Sequence, residues 1–355
     1  MQLERNIVFW LAALVVFVGL LWLLSPILLP FVLGMAIAYV LDPLAERLSK
    51  RGMSRLIAAL IILGSFVLAF VALLLVIAPV LARQFAGFIE DAPGYAARLQ
   101  AFVSDPHYPW IKRLIGDNLV GADKSVGDLM NQAAGYLTGL LASVWERGQA
   151  LISIFSLMII TPVVAFYLIC DWNKVVAAVD RLIPLPQRDT VRGLFKEIDK
   201  TISAYVRGQS GVCLILGSYY ALGLTLAGLS YGLLIGVVSG LISFIPYVGS
   251  LTALVLSLGV AVAQFFPDWG AILMVAGVVL LGQFLEGNVL SPFLVGHSVG
   301  LHPVWLMFAL IAFGYLFGFV GLLLAVPLAA AAGVLIRFAI RRYLASPLYT
   351  GDGSA

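Results

Sequence analysis

Charge is what this chain lacks. Of its 355 residues 11% are charged and 62% apolar, against roughly 25% charged in an ordinary soluble domain. Between Gly208 and Ile336 there is no Lys or Arg and only two acids, Asp268 and Glu286. A charge at the bilayer centre costs roughly 2.5 to 3.5 kcal/mol on insertion scales, so this stretch excludes a soluble fold and reads as several membrane segments in series. The two cysteines, Cys170 and Cys213, both in apolar settings, exclude a disulfide framework and a thiolate metal site. An intramembrane protease needs a buried Asp pair, a Ser and His combination on facing helices, or H-E-x-x-H, and none of these patterns occurs, so enzymatic activity is not expected. The G-x-x-x-x-G-K-[ST] sequence is also missing, which argues against direct use of ATP. Net charge is only +3, with basic residues confined to short connections, so nucleic acid is not a partner. No cofactor and no metal are called for.

What the chain has is apolar runs. A mean hydropathy of +1.06 and runs long enough for ~30 Å of hydrocarbon indicate an all-α polytopic membrane protein of about eight segments, with lipid as its surroundings. The first run, Ile7 to Leu24, is followed by Ser25-Pro26 and a second run to Val40 rather than by a small-residue cleavage site, so it reads as a retained span. Arg47, Lys50, Arg51 and Arg55 crowd the next loop, and Arg337, Arg341 and Arg342 close the last run. By the positive-inside rule that loop and both termini are cytoplasmic. The organisation expected is three N-terminal spans in residues 1–81, an outer amphipathic segment in 82–149, span four in 150–170, a cytoplasmic connector in 171–207, a repeat-bearing region in 208–342 and a tail in 343–355. In the outer segment Asp91 before Pro93, and Ser125 with Asp128, look like helix starts. In the connector Arg188, Arg192, Lys196 and Lys200 recur on one helical face, which suits either a solvated connector or a helix lying on anionic lipid.

The charge-poor half contains a repeat. Gly208-Gln209, Gly228-Leu229 and Val248-Gly249 are matched by Gly282-Gln283, Gly300-Leu301 and Val320-Gly321, an offset of 74 residues that settles to 72. Each unit has one span followed by a long stretch broken at its centre, residues 231–262 around Pro246 to Gly249 and residues 304–336 around Gly318 to Gly321. Such a stretch is too long for one ordinary span and short for two, so a re-entrant hairpin and a bent full span both remain open. With hairpins the second unit is inverted relative to the first, and the two breaks are expected to meet near the membrane midplane, as in secondary transporters.

Several residues could carry function. Glu286 is an acid deep in apolar sequence, followed by Asn288 and Pro292. It can exchange a proton, pair with a cation, or hydrogen-bond Gln209, Gln283 or Asn288. Ser243, Pro246, Tyr247 and Gly249 interrupt the first long stretch, and Gly318 and Gly321 the second; such backbone exposes carbonyls and amides at membrane depth. Gly228, Gly232, Gly236 and Gly240 form a ladder at four-residue spacing, a groove for close packing or for sliding. His297 and His302 suit an interfacial turn better than a proton relay.

Leu285-Glu286-Gly287-Asn288-Val289-Leu290-Ser291-Pro292, Val299-Gly300-Leu301-His302-Pro303, Leu316 to Gly321 and Ala325 to Leu328 strongly resemble the autoinducer-2 exporter family of bacterial permease-like proteins. So do Ile245 to Gly249, Thr161-Pro162 with Phe166-Tyr167-Leu168 and Asp171-Trp172, and Leu41-Asp42-Pro43 before Arg51-Gly52. The resemblance implies an eight-segment subunit in the bacterial cytoplasmic (inner) membrane, assembly as a homopentamer, and elevator-like transport of a small molecule or ion. It implies export of autoinducer-2 in some members and sodium or lithium/proton antiport in others. Cys170 and Gly287 depart mildly from the family pattern. A passive channel or a membrane scaffold would show the same spans.

Overall fold

The structure, a computed structural model, describes residues 16, 19–104, 149–296, 300–346 and 349; the first span and the outer segment beyond residue 104 lie mostly or wholly outside this range. Among the described residues the regular elements are helical, and seven helices are long and apolar enough to cross a membrane. The principal helices are α1 (Leu29–Lys50), α2 (Arg55–Ser104), α3 (Gln149–Leu182), α4 (Arg188–Leu226), α5 (Gly232–Ile242), α6 (Val248–Phe265), α7 (Trp269–Leu285) and α8 (Pro303–Leu344), with a π-helix over Glu286–Val295 between the last two.

The chain forms two compact units. One comprises Met1–Val67, Phe155–Gly208 and Val295–Ala355; the other comprises Leu68–Ile154 and Gln209–Leu294. In the first unit α1, the start of α2 and α3 share a core of Ala38, Leu41, Ala45, Ala59, Leu63, Ala165 and Ile169. Small residues let these helices approach closely, and Gly34 sits against Val164 and the Thr161 carbonyl. Arg55 closes the end of this packing, donating to Asp42 Oδ1 at 2.9 Å and, through Nε, to the Ile169 carbonyl at 2.8 Å. At the turn between α3 and α4, Arg192 grips Asp180 with both Nε and Nη2 at 2.6 Å. Part of the basic connector face is therefore engaged within the chain, and α4 carries that face without interruption into its membrane stretch.

The first unit also contains α8, where the second long stretch folds back on itself. Gly318 has φ 59° and ψ −138°, a conformation open essentially to glycine, and the helix is interrupted there. Gly321 packs on the Phe313 carbonyl and Gly314 on Leu322, pairs eight residues apart that a straight helix would hold ~12 Å from each other. Farther out, Gly333 faces the Leu301 side chain. Residues 301 and 333 are nearly equidistant from the turn, so both arms return to one level: a helical hairpin rather than a bent span.

The second unit holds the first hairpin. Arm α5 ends at Ile242, and α6 begins at Val248 after a tight turn in which Tyr247 adopts φ 67°. Gln264, at the far end of α6, donates to the Gly228 carbonyl at 2.9 Å and accepts from the Ser230 amide at 2.7 Å. The stretch thus leaves and re-enters at the same level, as in α8.

One expectation needs correcting. Asp91 does not begin a helix, because α2 runs uninterrupted through Asp91 and Pro93 to Ser104. The first part of the outer segment is also fastened within its own chain. Gln84, Asp91 and Arg98, spaced by seven residues along α2, bond respectively to the Leu234 amide (2.8 Å), the Tyr231 hydroxyl (2.6 Å) and the Ala263 carbonyl (3.2 Å). Tyr231 adds edge contacts to Phe88 and Tyr95. The extension of α2 therefore clasps the base of the first hairpin. Ser125 and Asp128 lie outside the described residues.

Candidate substrate and ion site

The second unit gathers most of the polar residues singled out in the sequence. Pro246 lacks an amide donor and Gly249 has no side chain, so the turn between α5 and α6 can close tightly: a Cβ at Gly249 would fall on Ser243. The turn is fastened from α4, where buried Gln209 donates to the Ser243 carbonyl at 2.6 Å. The Ser243 hydroxyl in turn donates to the Ser239 carbonyl at 2.8 Å. Gln283, on α7, reaches the Ser250 carbonyl at 3.4 Å. Gln209 and Gln283 occupy matched positions in the repeat, and both bond a main-chain carbonyl beside the same break.

Glu286 stands where α7 passes into the π-helix, a geometry often found at functional positions because it displaces the regular hydrogen-bond ladder. Its Oε2 is buried and has no hydrogen-bond partner among the described residues. Cys213 and Tyr220, both on α4, lie near this carboxyl, and the Tyr220 hydroxyl is likewise buried and without a bond among the described residues. An orphaned buried carboxylate oxygen is costly, which makes the position suited to a proton, a cation or an ordered water. None of Gln209, Gln283 and Asn288 is its partner: Asn288 instead bonds the Phe284 carbonyl at 3.1 Å and is exposed, as is Pro292 within the π-helix. Asp268, the other acid of this region, caps α7 by accepting from the Gly270 and Ala271 amides. Its presence is accounted for.

The glycine ladder divides. Gly232, Gly236 and Gly240 set α5 directly on α4: Cβ atoms there would land on Leu224 and Thr225, on Ala221, and on Gly217. Contact this close is a packing arrangement. Gly228 does not join the groove; with φ 75° it ends α4 in a Schellman motif, its amide on the Thr225 carbonyl and that of Leu229 on the Leu224 carbonyl, both at 3.0 Å. Gly318 and Gly321 belong to the other unit and form the tip of its hairpin. His302 caps α8 by accepting from the Val304 amide, and His297 lies outside the described residues.

Gln264, Gln84 and Tyr231 also hold the first hairpin and do not stand out in the sequence. Gln84, Asp91 and Arg98 share one helical face, and that spacing was the available signal; the left-handed backbone of Tyr231 at φ 62° gave none. No group of His, Cys, Asp and Glu among the described residues is arranged to hold a metal.

Residues 11–341 match the family model described as AI-2E family transporter. A Bacillus subtilis protein provisionally named transport protein YrrI is 30% identical over 320 residues, covering 89% of this chain and 87% of its own. An Escherichia coli protein provisionally named permease PerM is 30% identical over 329 residues, with 90% and 89% covered. The AI-2 transport protein TqsA of Escherichia coli is 26% identical over 328 residues, with 91% and 89% covered.

Proposed function

This chain belongs to the AI-2E transporter family, a family of membrane transporters and permeases rather than enzymes, and on that basis we propose that it is a secondary transporter exporting a small polar organic solute by an elevator-type mechanism. The solute class we favour is that of the signalling molecule autoinducer-2, which the name of TqsA associates with that relative. We place it in the bacterial cytoplasmic membrane with both termini cytoplasmic, working as a homopentamer.

The observation that carries the reading is the pair of closed helical hairpins, each broken at its tip: one at Ser243–Tyr247, fastened by Gln209, and one at Gly318. Broken helices expose main-chain polar groups, and at membrane depth such groups persist only where protein covers them or where they line a wet path. Coupling to a sodium or lithium/proton exchange is the second reading, favoured by the unbonded Glu286 Oε2. Solute uptake into proteoliposomes tests the proposal. Flux that saturates with concentration and accumulates against a gradient supports a transporter, whereas flux linear in concentration and never uphill indicates a channel or a leak around a scaffold.

A further inference from the structure

A pocket lies within the first unit, and none of its lining residues is among those discussed above as part of the solute or ion path. It measures about 70 Å³ and is lined by Tyr39 and Asp42 of α1, Trp172 of α3, and Asp199, Ser203 and Arg207 of α4, with apolar side chains completing the wall. By the space one water needs, a volume of this size holds roughly five waters or a solute of similar bulk.

The charges in this pocket are arranged unusually. Asp42 is neutralised by Arg55, at 2.9 Å. That leaves one acid and one base, Asp199 and Arg207, and no ion pair joins them among the described residues. Each is held instead by a neutral group of the same residue. The Tyr39 hydroxyl donates to Asp199 Oδ1 at 2.9 Å, and Arg207 Nε donates to the Tyr39 carbonyl at 2.7 Å. Asp199, Ser203 and Arg207 recur every four residues and share one face of α4, which puts the carboxylate and the guanidinium at two ends of the pocket with a hydroxyl residue midway. Tyr39 and Trp172 meet edge to face, ring centroids 6.5 Å apart, and supply the aromatic wall that an ammonium group favours.

We propose that this pocket binds a small dipolar ion, its ammonium at Asp199 and the aromatic wall and its anionic group at Arg207. The geometry favours one molecule carrying both charges over a simple cation or anion. With Asp42 already paired, the pocket is electrically balanced, so a singly charged ligand would leave either Asp199 or Arg207 uncompensated. Among the described residues Arg207 is engaged through Nε alone, and the remaining guanidinium N–H groups suit a carboxylate or a phosphate. An amino acid and the ethanolamine-phosphate head of a membrane lipid both have this chemistry. The inference stands independently of the transport reading, since it uses neither Glu286 nor either hairpin.

The test uses the full chain in nanodiscs of phosphatidylglycerol, which lacks an ammonium group. L-alanine is titrated with Trp fluorescence and calorimetry as readouts, methylammonium and acetate serve as half-ligand probes, and a parallel sample is assayed by native mass spectrometry for retained phosphatidylethanolamine. Expected is saturable binding of L-alanine, or retention of phosphatidylethanolamine if the occupant is lipid. Either should weaken by about tenfold or more in Asp199→Asn, which keeps the shape and the Tyr39 contact but removes the charge. Lys174→Gln, outside the pocket, should leave binding unchanged, and Trp172→Phe should remove the fluorescence response while calorimetric binding persists. Binding of neither dipolar probe, equal binding in Asp199→Asn, or methylammonium binding as well as alanine would each overturn the proposal.

Discussion

Gln209 and Ser243, 34 positions apart in sequence, are joined by a buried 2.6 Å hydrogen bond from a side-chain amide to a main-chain carbonyl freed by the break after α5. Because that carbonyl has lost its place in a helix, Gln209 substitutes for the missing ladder partner. Gln209→Ala should cost about 1–3 kcal/mol, the usual penalty for leaving a buried acceptor unmet, and should lower flux more than it lowers yield. Thermal unfolding in detergent, measured beside vesicle flux, checks both.

Gln264 closes the same hairpin at its base with two bonds, to the Gly228 carbonyl and the Ser230 amide. Gln264→Leu keeps the bulk but removes both bonds. Faster amide exchange over residues 228–232, with the 243–249 turn unaffected, is expected by hydrogen-exchange mass spectrometry. Uniform loosening of the whole hairpin would show that its base and tip are not separately held.

Glycine substitutions should separate packing from chain reversal. Gly236→Ala places a methyl on the Ala221 backbone and should force α5 away from α4, whereas Gly259→Ala in α6, with open space around it, should be neutral or raise stability by about 0.5–1 kcal/mol. Gly318→Ala asks for a backbone conformation that alanine avoids and should cost about 1–3 kcal/mol. Thermal midpoints of the three variants rank the effects. Equal midpoints would mean that α5 can slide at no cost.

Much of this architecture was readable from residue types alone. The absence of charge marked the membrane region, and Pro246, Gly249 and Gly318 marked the breaks, because those residues act through local backbone chemistry that sequence exposes directly. The choice between hairpin and bent span was not readable, since it depends on which distant groups meet. Nothing local distinguishes Gln264 from any other glutamine at the end of an apolar run until Gly228 is opposite it. Gly228 shares the spacing of Gly232, Gly236 and Gly240 yet serves as a helix stop, so a four-residue period did not separate packing from termination. Asp91 before Pro93 resembled a helix start but lies inside α2, where packing against Tyr231 outweighs the local signal.

Glu286 offers the most direct test of the account. Its carboxyl has one buried oxygen without a partner among the described residues, at the start of a π-helix, and the proposed coupling role rests on that position. The measurement is solute flux into proteoliposomes at two pH values for the natural protein and for Glu286→Gln, which preserves shape and hydrogen-bonding capacity while removing the titratable group. The variant is expected to fold and assemble as before, with little change in thermal midpoint, and its flux should no longer respond to pH. Flux in Glu286→Gln with the same pH dependence as the natural protein would contradict it.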